Sequence, residues 1–530
     1  MDKPSITRTR RSLVSQSQQA AEYYSLAIRR VRGITKFGHS KLGSIRPHFK
    51  INNHKSWIAL LFFCLFFSSL YGTFLFTRHH DIHWDEAVYI SMGKYLYSSD
   101  TQGLFESIRP LGLPLLLGFF WKLGSGTVLL YQTLIFIFAI GVVLLVYLLG
   151  KEIFSEEAGI LAAAILVFTP LFFQSSIAIL TEIPAVFFIL LSIFLFVRGR
   201  KTFFVGAAAS FAFLFKFPAG FVAIAILLLF LLQYYSHIRI LFQQWTYFLL
   251  GFIVVQLPVF FFNYLHYKEH SATVFDALFR PVLLAGAHAD NAVHAVNSGW
   301  ENIFYYFLQL VSNNPLLLLG FLGFFAVLFS RLEKDKVLAL FLPLLIFFVY
   351  FTSIVNKQPR FAVLFLPFLA VFAGHLFSSI LSFFSRGEIV KKLLFVFLIL
   401  YLFWTFSLQA LFIEAYRFYP EEMLPIEQEY YLYFANNAAG TILLTTEPYF
   451  TAYTDDILAY PYYNNLTDAQ EIYEKYKDTA SYVVFTSNFY PCADASCLEQ
   501  IEALHQEIAK THTLVYSQEW NGQLREIFKR

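Results

Sequence analysis

The feature that most constrains this chain is a succession of apolar runs about as long as a bilayer is thick, since a spanning helix needs roughly 20 such residues. The first is 57–77, WIALLFFCLFFSSLYGTFLFT. Ten more follow, at 128–149, 158–179, 183–197, 203–215, 219–235, 247–264, 315–330, 337–355, 361–384 and 393–412. The first run is too long, and too far along the chain, for a cleaved signal peptide. In a water-soluble fold 65 Phe residues would have nowhere to hide, and charged residues, 14% here, stand near a quarter of ordinary soluble domains. The expectation is an all-α polytopic membrane bundle of about eleven transmembrane helices, residues 57–412. It is preceded by a basic segment, 1–56, and followed by a small α/β domain, 413–530.

Charge distribution orients the bundle. Residues 1–56 hold twelve Lys and Arg against Asp2 and Glu22, and 414–530 hold eighteen Asp and Glu against seven Lys and Arg. Basic segments beside a span stay cytoplasmic and touch anionic lipid, and a head that runs straight into a span is poorly placed for nucleic acid. The loops after even-numbered runs carry Lys151, then Arg198, Arg200 and Lys201, then Arg239, then Arg331, Lys334 and Lys336, then Arg386, Lys391 and Lys392. This predicts a cytoplasmic N-terminus and, with an odd number of spans, an extracytoplasmic tail, in a prokaryotic plasma membrane. There Cys492 and Cys497 are close enough for a local disulfide, which an oxidising compartment permits, two free thiols being the alternative. Cys64 is a core residue of the first run. Asn465-Leu466-Thr467 is a glycosylation sequon. In the tail, 441–445, 482–486 and 513–516 read as strands, and 468–476 and 497–510 as helices.

Polar residues gather on the outer side. The first outside loop, 78–127, opens with His79, His80, Asp81, His83, Trp84, Asp85 and Glu86, then an amphipathic stretch, 87–97. It continues to Arg109-Pro110-Leu111-Gly112-Leu113-Pro114 and an apolar stretch, 111–123, suited to lying along the membrane surface. Later outside turns read Thr181-Glu182-Ile183-Pro184, Lys216-Phe217-Pro218 and Asn356-Lys357-Gln358-Pro359-Arg360-Phe361. Each has a bland reading: a solvated loop carboxylate for Asp85 or Glu86, a helix-dipole charge for Glu182, snorkelling anchors for Arg109, Lys216 and Arg360, surface residues for the histidines. Ionisable groups at membrane depth are costly and usually functional, and their recurrence on one side favours a shared cavity.

The Asp85-Glu86 pair, the Arg109–Pro114 segment, the Thr-Glu-Ile-Pro start of the fourth run and the Lys-Gln-Pro-Arg-Phe start of the tenth resemble the C-type-fold integral membrane glycosyltransferases. Among these are the protein O-mannosyltransferases and the lipid A aminoarabinose transferases. The resemblance covers roughly 57–412. It departs where the family often has Arg-Pro-Pro and this chain has Arg109-Pro110-Leu111, and it lacks the β-trefoil insertion of eukaryotic protein O-mannosyltransferases.

The resemblance implies a sugar linked to a polyprenyl (dolichyl or undecaprenyl) phosphate as donor, and a lipid, glycan or protein hydroxyl as acceptor. Asp85 then matches the general base, Glu86 or Glu182 would orient the acceptor or a neighbouring cation, and Arg109, Lys216, Arg360 and Lys357 would meet the leaving phosphate. One direct displacement inverts the anomeric centre, by the logic that separates inverting from retaining glycosidases. No obligatory metal or other cofactor is expected, because cations can do the phosphate work, a divalent ion being the alternative. Two other classes compete: a transporter or lipid flippase, and an assembly subunit whose acidic tail binds a partner. Inverted repeats or helices broken at midplane, which favour a transporter, are not visible in the sequence.

Overall fold

The computed structural model describes residues 54–77, 82–290, 299–328, 334–354, 357–383, 388–417, 430–434, 440–462, 466–487, 495–520 and 523–530. The basic head to residue 53, His79, His80, Asn465 and Cys492 lie outside these. Helix α1 (His54–Thr77) leads into a loop that folds as α2 (Trp84–Tyr97), strand β1 (Gly103–Leu104) and α3 (Gly112–Lys122). The bundle continues with α4 (Val128–Ile153), α5 (Glu156–Val167), α6 (Pro170–Ile177), α7 (Glu182–Val197), α8 (Thr202–Phe215), α9 (Phe221–Tyr234) and α10 (Ile238–Tyr267). It closes with α11 (Val274–Asp290), α12 (Gly299–Asn313), α13 (Leu317–Leu328), α14 (Lys334–Ser353), α15 (Leu366–Phe383) and α16 (Glu388–Arg417).

Among the described residues, five helical stretches are long and apolar enough to cross a bilayer: Val128–Ile153, Phe217–Tyr234, Ile238–Tyr267, Asp335–Ser353 and Leu366–Phe383. The chain is a multi-pass membrane protein. In lipid every backbone polar group must be satisfied internally, which a helix does. Exposed Leu257, Phe261, Phe397 and Trp404 give α10 and α16 an apolar outer surface. The sequence expects eleven spans, but several runs form helices too short to cross alone. Helices α7 and α8 have 16 and 14 residues, about 24 and 21 Å at 1.5 Å per residue, against a hydrocarbon core of about 30 Å. Both stop at charged residues, Glu182 and Lys216.

One expected span is not straight. The run 158–179 breaks into α5 and α6, bent by 66°. Pro170 stands at the start of α6 and has no amide hydrogen to continue the ladder, and Thr169 before it is extended, as a residue preceding proline prefers. The backbone groups freed by the break are re-satisfied locally. The Thr169 hydroxyl donates to the Ile165 carbonyl at 2.7 Å, and Asn314 Nδ2 donates to the Thr169 hydroxyl at 3.0 Å.

The tail supplies β2 (Thr441–Thr445), α17 (Tyr449–Tyr453), β3 (Ile457–Pro461), α18 (Leu466–Tyr476), β4 (Tyr482–Thr486), α19 (Ala495–Thr511), β5 (Thr513–Trp520) and β6 (Gln523–Lys529). The strands form one sheet in the order β1-β3-β2-β4-β6-β5, parallel from β1 to β4, with β6 and β5 antiparallel. Side chains alternate across a strand, and the alternation sorts the two faces. Leu444, Val483, Phe485 and Phe528 pack with Ala469, Tyr473, Leu504 and Ile508 of α18 and α19. Leu443, Ile457, Val484 and Ile527 pack with Val88 and Met92 of α2, Leu104 and Leu111. The sequence expects a separate tail domain; instead one sheet face is covered by the first outside loop, and that loop contributes the edge strand. Gly103 permits this: its φ is +89°, and a Cβ there would lie 2.2 Å from the Ser91 carbonyl oxygen.

Candidate active site

Asp85 lies in the first turn of α2, where a carboxylate is favoured by the helix dipole. Glu182 opens α7, and Lys216 follows the last residue of α8. Because α7 and α8 are consecutive and joined by the short loop 198–201, the start of one and the end of the other share a level. Arg360 lies in the 3-10 turn Pro359–Leu364 before α15, and Arg109 lies in the loop before α3.

These five residues, scattered over 276 positions between Asp85 and Arg360, form one ionic chain with a sixth. Arg109 Nε donates to Glu106 Oε2 at 2.8 Å, and Arg109 Nη2 reaches Asp85 Oδ1 at 2.7 Å. The other Asp85 oxygen meets Arg360 Nη2. Arg360 Nε lies 3.7 Å from Glu182 Oε1, which Lys216 Nζ approaches to 2.9 Å. The order Glu106, Arg109, Asp85, Arg360, Glu182, Lys216 alternates in sign, three acids against three bases, so the chain is neutral as it stands. Aromatic faces back the cations: Tyr89 lies under Arg109, and Phe361 under both Lys216 and Arg360. Arg360 Nε also donates to Gln358 Oε1 at 2.6 Å.

Exposure varies among the members of the chain. Arg360 keeps 28% of its side chain accessible, Arg109 19% and Asp85 15%, whereas Glu182 keeps 1%. Glu182 Oε2 is buried with no hydrogen-bond donor among the described residues, a costly state for a carboxylate oxygen that an incoming hydroxyl would relieve. Burial by itself would raise the Asp85 carboxyl. The two guanidiniums overcome it and hold the group well below the usual carboxylate range.

Two residues that the sequence places with this set are used otherwise. Lys357 Nζ donates to the carbonyls of Phe351, Thr352 and Ile354 at 2.7, 2.8 and 2.5 Å. It thereby caps the C-terminus of α14, where orphan carbonyls and the dipole favour a cation, and its three donors are spent. Glu86 is fully buried. One oxygen accepts from the His83 amide and the other from the Ile179 amide, both at 2.8 Å. It holds backbone, pinning the start of α2 to the turn before α7. Conversely, Glu106 belongs to the chain and was not singled out from sequence; its one signal is the three-residue spacing to Arg109. Cys497 is disulfide-bonded and Cys64 is free; Cys492 lies outside the described residues. Among the described residues no group of three or more His, Cys, Asp and Glu is placed to hold a metal ion.

Beside the ionic chain, a small pocket lies between α8, α10 and α11. Phe213, Phe217, Val259, Phe260 and Phe279 are among its lining, and Arg109 is the one charged residue there.

The family model for dolichyl-phosphate-mannose-protein mannosyltransferases matches residues 109–262, a stretch that contains Arg109, Glu182 and Lys216. No curated protein matches the chain by sequence. Among solved structures the chain is similar to ArnT from Cupriavidus metallidurans bound to undecaprenyl phosphate, at 11% identity and a TM-score of 0.62, over 90% of this chain and 98% of that one. The apo state of ArnT from the same organism gives 12%, 0.60, 89% and 98%. The archaeal oligosaccharyltransferase from Archaeoglobus fulgidus in the apo form gives 14%, 0.51, 82% and 70%. These likenesses are of fold alone.

Proposed function

We propose that this protein is a membrane glycosyltransferase that moves a hexosyl or pentosyl group from a polyprenyl-phosphate donor to a hydroxyl of an extracytoplasmic lipid, glycan or protein. The observation that carries the reading is the ionic chain. It sets a carboxylate between two guanidiniums at a bundle edge, beside an apolar cavity with one of those guanidiniums in its wall. The leaving group of such a donor is a phosphate, which arginine can grip with two parallel hydrogen bonds. Its prenyl tail needs an apolar channel. ArnT, of similar fold, binds undecaprenyl phosphate, and the matching family model is named for a dolichyl-phosphate-mannose donor.

In the step itself, the acceptor oxygen attacks the anomeric carbon and its proton passes to Asp85. The bond from that carbon to the phosphate oxygen breaks, and the electron pair leaves with the polyprenyl phosphate. Arg109, Arg360 and Lys216 meet the charge that develops on the phosphate, a contribution that is often the largest single one. Asp85 as base supplies about 10²–10⁴-fold. Glu182 orients Lys216 and Arg360, and its second oxygen is available to a sugar or acceptor hydroxyl. One base and one displacement give inversion.

The same reading places the N-terminus in the cytoplasm and the sheet outside, in a multi-pass protein of the plasma membrane. Its supports are the loop charges and the disulfide at Cys497, which an oxidising compartment maintains. The test is turnover by purified protein on a panel of radiolabelled polyprenyl-phosphate sugars, with the product linkage read by NMR. Release of polyprenyl phosphate with an inverted linkage is expected. Retention contradicts the single displacement. Absence of both turnover and saturable donor binding across the panel contradicts the transferase and favours a lipid flippase.

A further inference from the structure

Lys94 is a buried ammonium that this chemistry does not use. It lies near the end of α2, nine residues after Asp85 on the same helix, and its side chain is 6% exposed. Nζ donates to the carbonyls of Thr451, Ala452 and Thr454 at 2.9, 3.0 and 3.3 Å and pairs with Asp455 at 2.8 Å. All four partners belong to the tail, at the end of α17, where carbonyls lack helical donors. The Thr451 hydroxyl donates to the Ser91 hydroxyl at 2.7 Å, one turn nearer to Asp85.

The same tail loop is gripped by the rest of the loop 78–127. Trp121 Nε1 donates to Asp455 at 3.0 Å, Gln102 Nε2 donates to Asp456 at 2.8 Å, and the Asp456 amide donates back to Gln102 at 3.0 Å. Strand β1 adds its register against β3. Helix α2 is therefore held at two ends by different bodies: at its start by Glu86 on the Ile179 amide of the bundle, at its end by Lys94 on the tail. An apolar side chain of similar length would fill the space around Lys94 but leave three carbonyls and Asp455 without their donor. What the ammonium adds is direction, since three carbonyls and a carboxylate fix it from one side.

We propose that Lys94 is a positioning residue for the transfer reaction, and that the tail sheet sets, through it, the axial and rotational placement of Asp85 between Arg109 and Arg360. A base displaced by about 1 Å can cost about 100-fold in rate, so a clamp of this kind acts on turnover more than on donor binding.

This rests on the transferase reading above, and the experiment separates the two. Full-length wild type, Lys94→Met and Asp455→Asn are prepared in nanodiscs. Steady-state transfer from a labelled polyprenyl-phosphate sugar is measured beside hydrogen exchange over residues 84–97. For Lys94→Met the expected result is a fall in kcat of at least about 10-fold, with donor KM within about twofold and faster exchange over 84–90. Asp455→Asn, which leaves the three carbonyls in place, shows the same pattern at smaller amplitude and decides the matter if Lys94→Met does not fold. Unchanged kcat per folded molecule, or unchanged exchange over 84–90, overturns the proposal. No turnover by wild type overturns the transferase reading instead, and the exchange arm then decides by itself whether the tail holds α2.

Discussion

Replacing Arg360 with Met tests the ionic chain at the link that joins its two halves. Arg360 touches both Asp85 and Glu182. Without it Asp85 retains Arg109, Glu182 retains Lys216, and the six-residue chain, three acids against three bases, becomes net negative by one. Breaking a fully buried pair costs about 3–5 kcal/mol. Arg360 is 28% exposed, so a stability loss of about 1–2 kcal/mol is the reasonable share. The larger effect is on the reaction. A fixed donor aimed at developing charge is worth about 3–4 kcal/mol in kcat, and the surplus negative charge opposes the donor phosphate as well. Together these predict a loss of about 100- to 1,000-fold in kcat/KM. Arg360→Lys restores little of it, because an ammonium cannot reproduce the fork that grips two oxygens. The assay is release of labelled polyprenyl phosphate in nanodiscs, alongside thermal unfolding to separate lost enzyme from lost chemistry. A folded Arg360→Met protein with kcat/KM within about threefold of wild type would refute the assignment of Arg360 to the phosphate.

Three further outcomes follow from particular contacts. Asp85 sits well below its ordinary pKa near 3.9 in the free protein, so it is ionised throughout the neutral range. The stability it adds over the unfolded chain is complete above that ordinary value and is lost as the pH falls below it. The kcat/KM profile should accordingly show no acidic limb from Asp85 between pH 5 and 8, and an essential group titrating near 6 in kcat/KM would contradict the clamp. Lys357→Met, which removes the cap of α14, should lower the unfolding midpoint while leaving donor KM within about twofold; a selective rise in KM would return Lys357 to the phosphate site. Gly118→Ala should abolish folded yield or activity, because a Cβ there lies 2.4 Å from the Gly93 carbonyl oxygen, where α2 and α3 touch through backbone; normal yield and turnover would show that the two helices have room to part.

Much of the site was legible because charges at membrane depth must find partners. Asp85, Arg109, Glu182, Lys216 and Arg360 stand at the edges of apolar runs on one predicted side, and the structure brings all five together. What sequence could not separate is a charge that meets another charge from one that meets backbone. Lys357 and Glu86 carry the same signal as their neighbours, yet they bind carbonyls and amides that leave no trace in residue type. Glu106 was missed for the opposite reason, lying in a polar loop where a carboxylate is unremarkable. For the fold, hydrophobic run length located the helices but not the 66° break, which depends on Pro170 acting with Thr169 and Asn314. The strands at 441–445 and 482–486 announced themselves by composition. Strand β1 could not, since two residues carry no periodicity, and with it went the sharing of one sheet between the loop 78–127 and the tail.

In the proposed reaction Asp85 takes the proton from the acceptor. The most direct test compares wild type with Asp85→Asn, expressed to equal levels, for transfer from a polyprenyl-phosphate sugar under single-turnover conditions, with binding of the polyprenyl phosphate measured in parallel. Asparagine keeps the size and the hydrogen-bonding oxygen but cannot accept the proton. The expected result is a fall of at least about 100-fold, the scale of a lost general base, with the lipid phosphate still bound. Transfer at the wild-type rate by a folded Asp85→Asn protein would contradict it and move the base to another residue of the chain, Glu182 first.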